Sequence, residues 1–169
     1  MASIERESYL LQNLKVDIEI SPDLKKLMEQ HADIAPTAIK LGLRRVTREG
    51  SKQIKAKVRS LGLVKSGTLA KSIRGSTTNT KSYIGTKLWY AHFLEGGTDP
   101  HLIKPQKKSG HKYLRLGGYY RPIFAKSVNH PGIKAYKFTE TTFNQMQTSG
   151  QVNSLFAQGV REAIEVLSK

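Results

Sequence analysis

Residues 88–94 read Leu-Trp-Tyr-Ala-His-Phe-Leu, a largely apolar run that stops on a lone carboxylate, Glu95, and a Gly96-Gly97 pair. At a period of two, Leu88, Tyr90, His92 and Leu94 fall on one side and Trp89, Ala91 and Phe93 on the other. The pattern predicts a central strand within residues 83–94, covered on both faces. The glycines then predict a sharp turn. Glu95 is the one acid between Glu49 and Asp99. A buried carboxylate needs donors. The expected ones are the N–H groups of the Gly96-Gly97-Thr98 turn, or a nearby Lys or Arg, with the Thr98 hydroxyl closing the same turn.

Around this run the chain alternates between helix and strand signals. Val16, Ile18 and Ile20 alternate with Asp17 and Glu19, predicting a short strand over residues 15–20. Ser21-Pro22 then offers an N-cap and a first-turn proline. Leu24, Leu27, Met28, His31, Ile34 and Ala35 follow at helical spacing. Pro36 restarts the helix, with Asp33 as a nearby acceptor. Ala38, Leu41, Arg45, Ile54 and Val58 extend a broken stripe towards Ser60. Further strands are expected at 72–78, 102–103, 113–116 and 123–128, bounded by Gly, Pro, Asn and Ser. Residues 104–126 read as one or two projecting, lysine-rich hairpins. Phe138, Thr142 and Met146 mark a short helix, Ser149-Gly150 interrupts it, and Val152 to Leu167 carry the clearest amphipathic pattern. The expectation is a single domain over 1–169: an N-terminal arm (1–14), a core (15–139) with a basic loop (102–128), and a C-terminal helical segment (140–169). The fold class is α+β.

The net charge is +15 over 169 residues, and it is concentrated. Residues 61–139 hold 14 Lys and Arg against Glu95 and Asp99 alone. A field of one sign attracts nucleic acid or an acidic protein surface. The cationic helix side (Lys40, Arg44, Arg48, Lys52, Lys55, Arg59) reads first as a solvated face. With the 104–126 loop it also supports an alternative, a basic nucleic-acid-binding protein. Tyr113, Tyr119 and Tyr120 beside Lys112, Arg115 and Arg121 could stack on bases, or pack the base of a hairpin. The chain has no cysteine, which removes disulfides and thiolate metal sites. The polar, acidic N-terminus is unlike a signal peptide, and no apolar run approaches a membrane span.

Catalytic signatures are missing. There is no phosphate loop, dinucleotide fingerprint, zinc-protease helix or nucleophile elbow. His101, His111 and His130 match no familiar metal spacing, and His92 reads as a structural histidine. Glu95 has no second acid or nucleophile beside it. The expectation is no catalytic residue, no metal and no cofactor. Asn129-His130-Pro131-Gly132 is local mechanics: Pro131 fixes its φ and extends His130, and Gly132 permits a positive φ.

In order and spacing, these motifs resemble the tail-completion, or head–tail joining, proteins of long-tailed bacteriophages. Ser66-Gly67-Thr68-Leu69-Ala70-Lys71-Ser72-Ile73 stands where that family has a TGxLxxSI-type segment after a long basic helix. Tyr90, Ala91, Glu95, Gly97 and Thr98 match YAxxxExGT, and His130, Pro131, Gly132 and Phe138 match a later HPG and aromatic. Ser66 replaces the usual Thr, and Lys137 stands where a Pro often precedes the aromatic. The resemblance spans about 16–167. It implies a non-enzymatic ring of copies, expected as a hexamer, at the neck of the virion and assembled in the host cytoplasm. It implies a mostly antiparallel sheet packed by the long N-terminal and the C-terminal helices. The partners implied are the chain itself, neighbouring connector or adaptor and tail-terminator or tail-tube proteins, and genomic DNA in the channel, with no membrane. The loop varies within the family. Lys104, Lys107, Lys108, Lys112, Arg115, Arg121 and Lys126 are therefore candidates for an interface or DNA-facing role on charge alone.

Overall fold

The computed structural model describes residues 18–63, 66–106, 110, 112–118 and 120–169. Helix α1 (Pro22–Gln30) starts as its sequence dictates: the Ser21 hydroxyl accepts from the Leu24 N–H at 3.4 Å, and Pro22 occupies the first turn. Helix α2 (Ala35–Ser60) restarts at Pro36. Its N-cap is Ile34, with no side-chain hydrogen bond, so Asp33 does not serve it. Then come α3 (Thr68–Ser72), the β1 (Arg74–Thr77) and β2 (Ser82–Gly85) ribbon, α4 (Ala91–Gly96), strands β3 (His101–Ile103), β4 (Leu114–Leu116), β5 (Ile123–Ala125) and β6 (Val128–His130), and helices α5 (Phe138–Thr148) and α6 (Gln151–Leu167).

The class is α+β, with a long N-terminal and a C-terminal helix. The strands pair antiparallel, but as three separate ribbons, β1–β2, β3–β6 and β4–β5. Helix α6 packs along α2 and so does the β1–β2 ribbon. The single sheet expected from the sequence is thus replaced by a helical spine with ribbons attached. Residues 18–20 form no strand; Ile18 packs against the α2–α6 core, while Ile20 is exposed. The remainder of the expected 15–20 strand, the 1–14 arm, and Lys107, Lys108, His111 and Tyr119 lie outside the described residues.

Two apolar clusters sit along α2. Near its N-terminal end, Ala38 and Val46 pack with Leu24, Met146 and the α6 face Val152, Phe156, Val160, Ala163 and Ile164. Near its C-terminal end, Ile54 and Val58 pack with Leu69, Ala70, Ile73, Ala91 and Phe138. The buried stripe of α2 is not quite the expected one. Leu41 is exposed, and Arg45 pairs with Glu162 of α6. Gly42, Val46 and Gly50 are buried instead. Gly42 and Gly159 let α2 and α6 cross in contact: a Cβ on Gly159 would lie 2.8 Å from the Gly42 Cα. Helix-interior glycine costs about 1 kcal/mol against alanine, and this close approach is what offsets it.

Candidate functional site

Residues 91–96 are helical, not a strand. A short apolar run supports either period, and burial shows which one prevailed. Ala91 and Glu95 are buried and Leu88 and Leu94 half-buried, while Trp89 and His92 are exposed. That is helical spacing of three and four. Gly97 ends the helix at φ 74°, its N–H donating to the Phe93 carbonyl at 2.9 Å. The turn leading into it is held by Thr86, whose hydroxyl accepts from the Leu88 N–H at 3.2 Å, while the helix N-cap itself, Tyr90, makes no side-chain hydrogen bond. The Ser72 hydroxyl bonds that same Thr86 hydroxyl and donates to the Leu69 carbonyl at 2.7 Å. The Gly67–Ile73 segment is thereby tied to α4. Gly67 itself has a left-handed φ of 72° at the start of α3.

Glu95 is 1% exposed, and its donors come from 44 and 45 residues further on. The Thr139 N–H reaches both carboxylate oxygens, at 3.0 and 3.1 Å, and the Glu140 N–H reaches Oε1 at 3.1 Å. These are first-turn N–H groups of α5, which have no partner within their own helix. The α5 N-cap is Lys137, which offers no side-chain hydrogen bond. Glu95 therefore caps α5 from a distance, with its negative charge at the positive end of the helix dipole. The exchange is mutual. The last carbonyls of α4 also lack helical partners, and the Tyr136 N–H donates to Leu94 at 2.9 Å and the Lys137 N–H to Glu95 at 3.2 Å. The expectation of backbone donors was right in kind and wrong in place: those donors are not the Gly96-Gly97-Thr98 turn.

The two turns beside this cap fit together. Thr98 and Ile133 exchange backbone hydrogen bonds at 2.9 and 3.0 Å. A Cβ on Gly97 would lie 2.6 Å from the Ile133 carbonyl oxygen; one on Gly132, which has φ 84°, would lie 2.3 Å from the Thr98 oxygen. Each glycine is needed twice over, for its left-handed φ and for the approach of the opposite backbone. Gly96 meets nothing within 4 Å. The Thr98 hydroxyl is buried without a hydrogen-bond partner, so it does not close the turn as expected. The Gly132 N–H donates to His130 Nδ1 at 3.1 Å, with Pro131 exposed between them. His130 stacks across the β3–β6 ribbon on His101, ring centroids 5.0 Å apart. Phe138 (0% exposed) closes the base, in one cluster with Leu69, Ile73 and Ala91 and with half-buried Tyr90 beside them.

Lys137 is the one non-glycine residue with positive φ among the described residues, at φ 45°. It stands where the resembled family often has a proline before the aromatic. Proline cannot adopt this φ, nor could it donate the hydrogen bond to Glu95.

The candidate cations are not among the residues that form this clasp of α4, the start of α5 and the two glycine turns. Lys104, Lys112, Arg115, Arg121 and Lys126 are all exposed, and the β4–β5 hairpin carries Arg115 opposite Phe124. Among the described residues, no three His, Asp or Glu side chains gather as metal ligands, and no helix is long and apolar enough to cross a membrane.

Residues 23–97 match the family described as "Bacteriophage HK97-gp10, putative tail-component". The resemblance to phage tail-completion proteins is borne out over that stretch. The matched segment runs from α1 to Gly97, so it ends within the clasp, whose other half, 130–140, lies beyond it. Among curated proteins and solved structures, none matches the chain.

Proposed function

We propose that this protein is a non-enzymatic structural component of a phage virion. It assembles into a ring, a hexamer, at the head–tail interface and completes or joins the tail there. The family match supports a tail component. The neck position, the ring and the neighbouring connector and tail-tube partners follow from the resemblance carried by Gly67–Ile73, Tyr90–Thr98 and His130–Phe138.

The observation that carries this reading is how the motif residues are used. Glu95 is the acid buried among the described residues, and its oxygens are occupied by α5 backbone N–H groups. Gly97 and Gly132 serve backbone contact, and Tyr90, Ala91 and Phe138 serve the core. A pattern spent wholly on joining two turns suits a subunit whose work is done by its outer surfaces. A general acid or base must instead reach a substrate proton.

The test is genetic. A phage with an early stop codon in this gene should yield filled heads and tails that fail to join, seen by electron microscopy. Normal tailed particles from that phage would overturn the proposal.

A further inference from the structure

Among the described residues, two surfaces with apolar side chains open to solvent stand out. The first is a shallow groove between α1 and α2, lined by Met28, Ala32, Ala35, Pro36 and Ile39 with Lys25 and Glu29 as its charged residues. The second is the β4–β5 hairpin. Its register puts Leu114 opposite Ala125 and Leu116 opposite Ile123, giving one apolar face, and Arg115 opposite Phe124 on the other. Ile123 is 66% exposed and Phe124 63%. A two-stranded hairpin without further cover is marginal in water, and these strands make their main contacts with each other.

Charge separates the two surfaces further. Residues 19–33 carry Glu19, Asp23, Glu29 and Asp33 against Lys25 and Lys26, and the four acids are exposed and outside any ion pair among the described residues. Residues 104–126 contain no acid at all. Lys112, Arg121 and Lys126 flank the hairpin face. A phosphate backbone would reward these cations but not Leu116 and Ile123. An apolar protein surface bordered by an excess of acids rewards both, and the 19–33 segment, which supplies the α1 wall of the groove, has four acids against two lysines.

We infer that the β4–β5 hairpin of one copy docks in the α1–α2 groove of the next, with Ile123 and Leu116 against Met28 and Ile39 and with Arg121 near Glu29. The contact is heterologous, joining unlike surfaces, which is the kind that builds rings or filaments. The inference rests on the ring reading above in taking the partner to be a second copy.

The absence of cysteine gives a clean test. Ile123→Cys and Ile39→Cys are made separately, checked for native helical content, then mixed and oxidised. A disulfide-linked heterodimer should form from the mixture and not from either variant alone. Arg121→Glu should weaken self-association about tenfold or more, and adding Glu29→Lys to the same chain should restore it. Rings that form without the cross-link would overturn this interface and leave the ring reading standing. A chain that stays monomeric up to about 1 mM, where even weak contacts register, would also overturn it, while the ring reading is judged by the phage particles. Loss of duplex DNA binding by Arg121→Glu, with self-association unchanged, would reassign the hairpin to nucleic acid.

Discussion

The two ends of α2 are stabilised in different ways. At its N-terminal end, two long amphipathic helices meet along a continuous apolar face, and the contact tightens at Gly42 and Gly159. At its C-terminal end the elements are short: α3 has five residues and α4 six. Such pieces cannot hold a helical conformation alone. They persist because α4 and α5 satisfy each other's terminal backbone groups and because Phe138 fills the space beneath. Packing by area tolerates local change, whereas a hydrogen-bonded clasp depends on single atoms.

That contrast can be broken most severely at Phe138. Phe138→Ala should cost about 3–5 kcal/mol, lowering the urea midpoint. Amide exchange should accelerate first in α3, α4 and the start of α5, while α6 stays protected. Uniform acceleration along the chain would show that the two ends unfold as one. Glu95→Ala should follow at about 3 kcal/mol, since it strands buried N–H groups of Thr139 and Glu140. Glu95→Gln should lose about half as much, because an amide keeps one acceptor oxygen but not the charge; equal losses for the two variants would refute the charged-cap account.

Gly159→Ala examines the other end. The added methyl meets Gly42 backbone, so α2 and α6 must separate, at about 1–3 kcal/mol. A thermal melt that does not move would mean the crossing is looser than the geometry implies. Lys137→Gly should stabilise by about 1 kcal/mol, by relieving the left-handed strain, and Lys137→Pro should destabilise. Smallest of all, Gly96→Ala should stay within about 0.5 kcal/mol, in contrast to a marked loss for Gly97→Ala next to it.

Much of the helical spine was legible from the residues. Ser21-Pro22, Pro36 and Ser149-Gly150 set the helix boundaries by cap and φ chemistry that acts within a turn, and Val152 to Leu167 repeat long enough for one period to prevail. The strands at Leu102–Ile103 and Tyr113–Leu116 were also visible, through their flanking turns, but the single strand expected over 123–128 divides into β5 and β6, which join different ribbons. The 88–94 run was misread because a largely apolar run of seven residues satisfies either period. The signal that could have decided it was Glu95 itself: with Leu88 and Ala91 it makes a helical triplet, whereas a strand would leave it at a sheet end. The buried glycines of α2 and α6 were legible only as costs, without the partner that explains them.

The sequence by itself determined where the long helices begin and end, that a charged loop lies within an almost acid-free middle, and that two glycine turns matter. Those are local properties, fixed by backbone sterics and side-chain period. Tertiary structure alone decided that residues 91–96 are helical, that the strands divide into three ribbons, and that Glu95 caps a helix beginning more than forty residues later. A cap of that kind has no sequence spacing to betray it. The chain must first fold back on the spine before the carboxylate and the waiting N–H groups share one place.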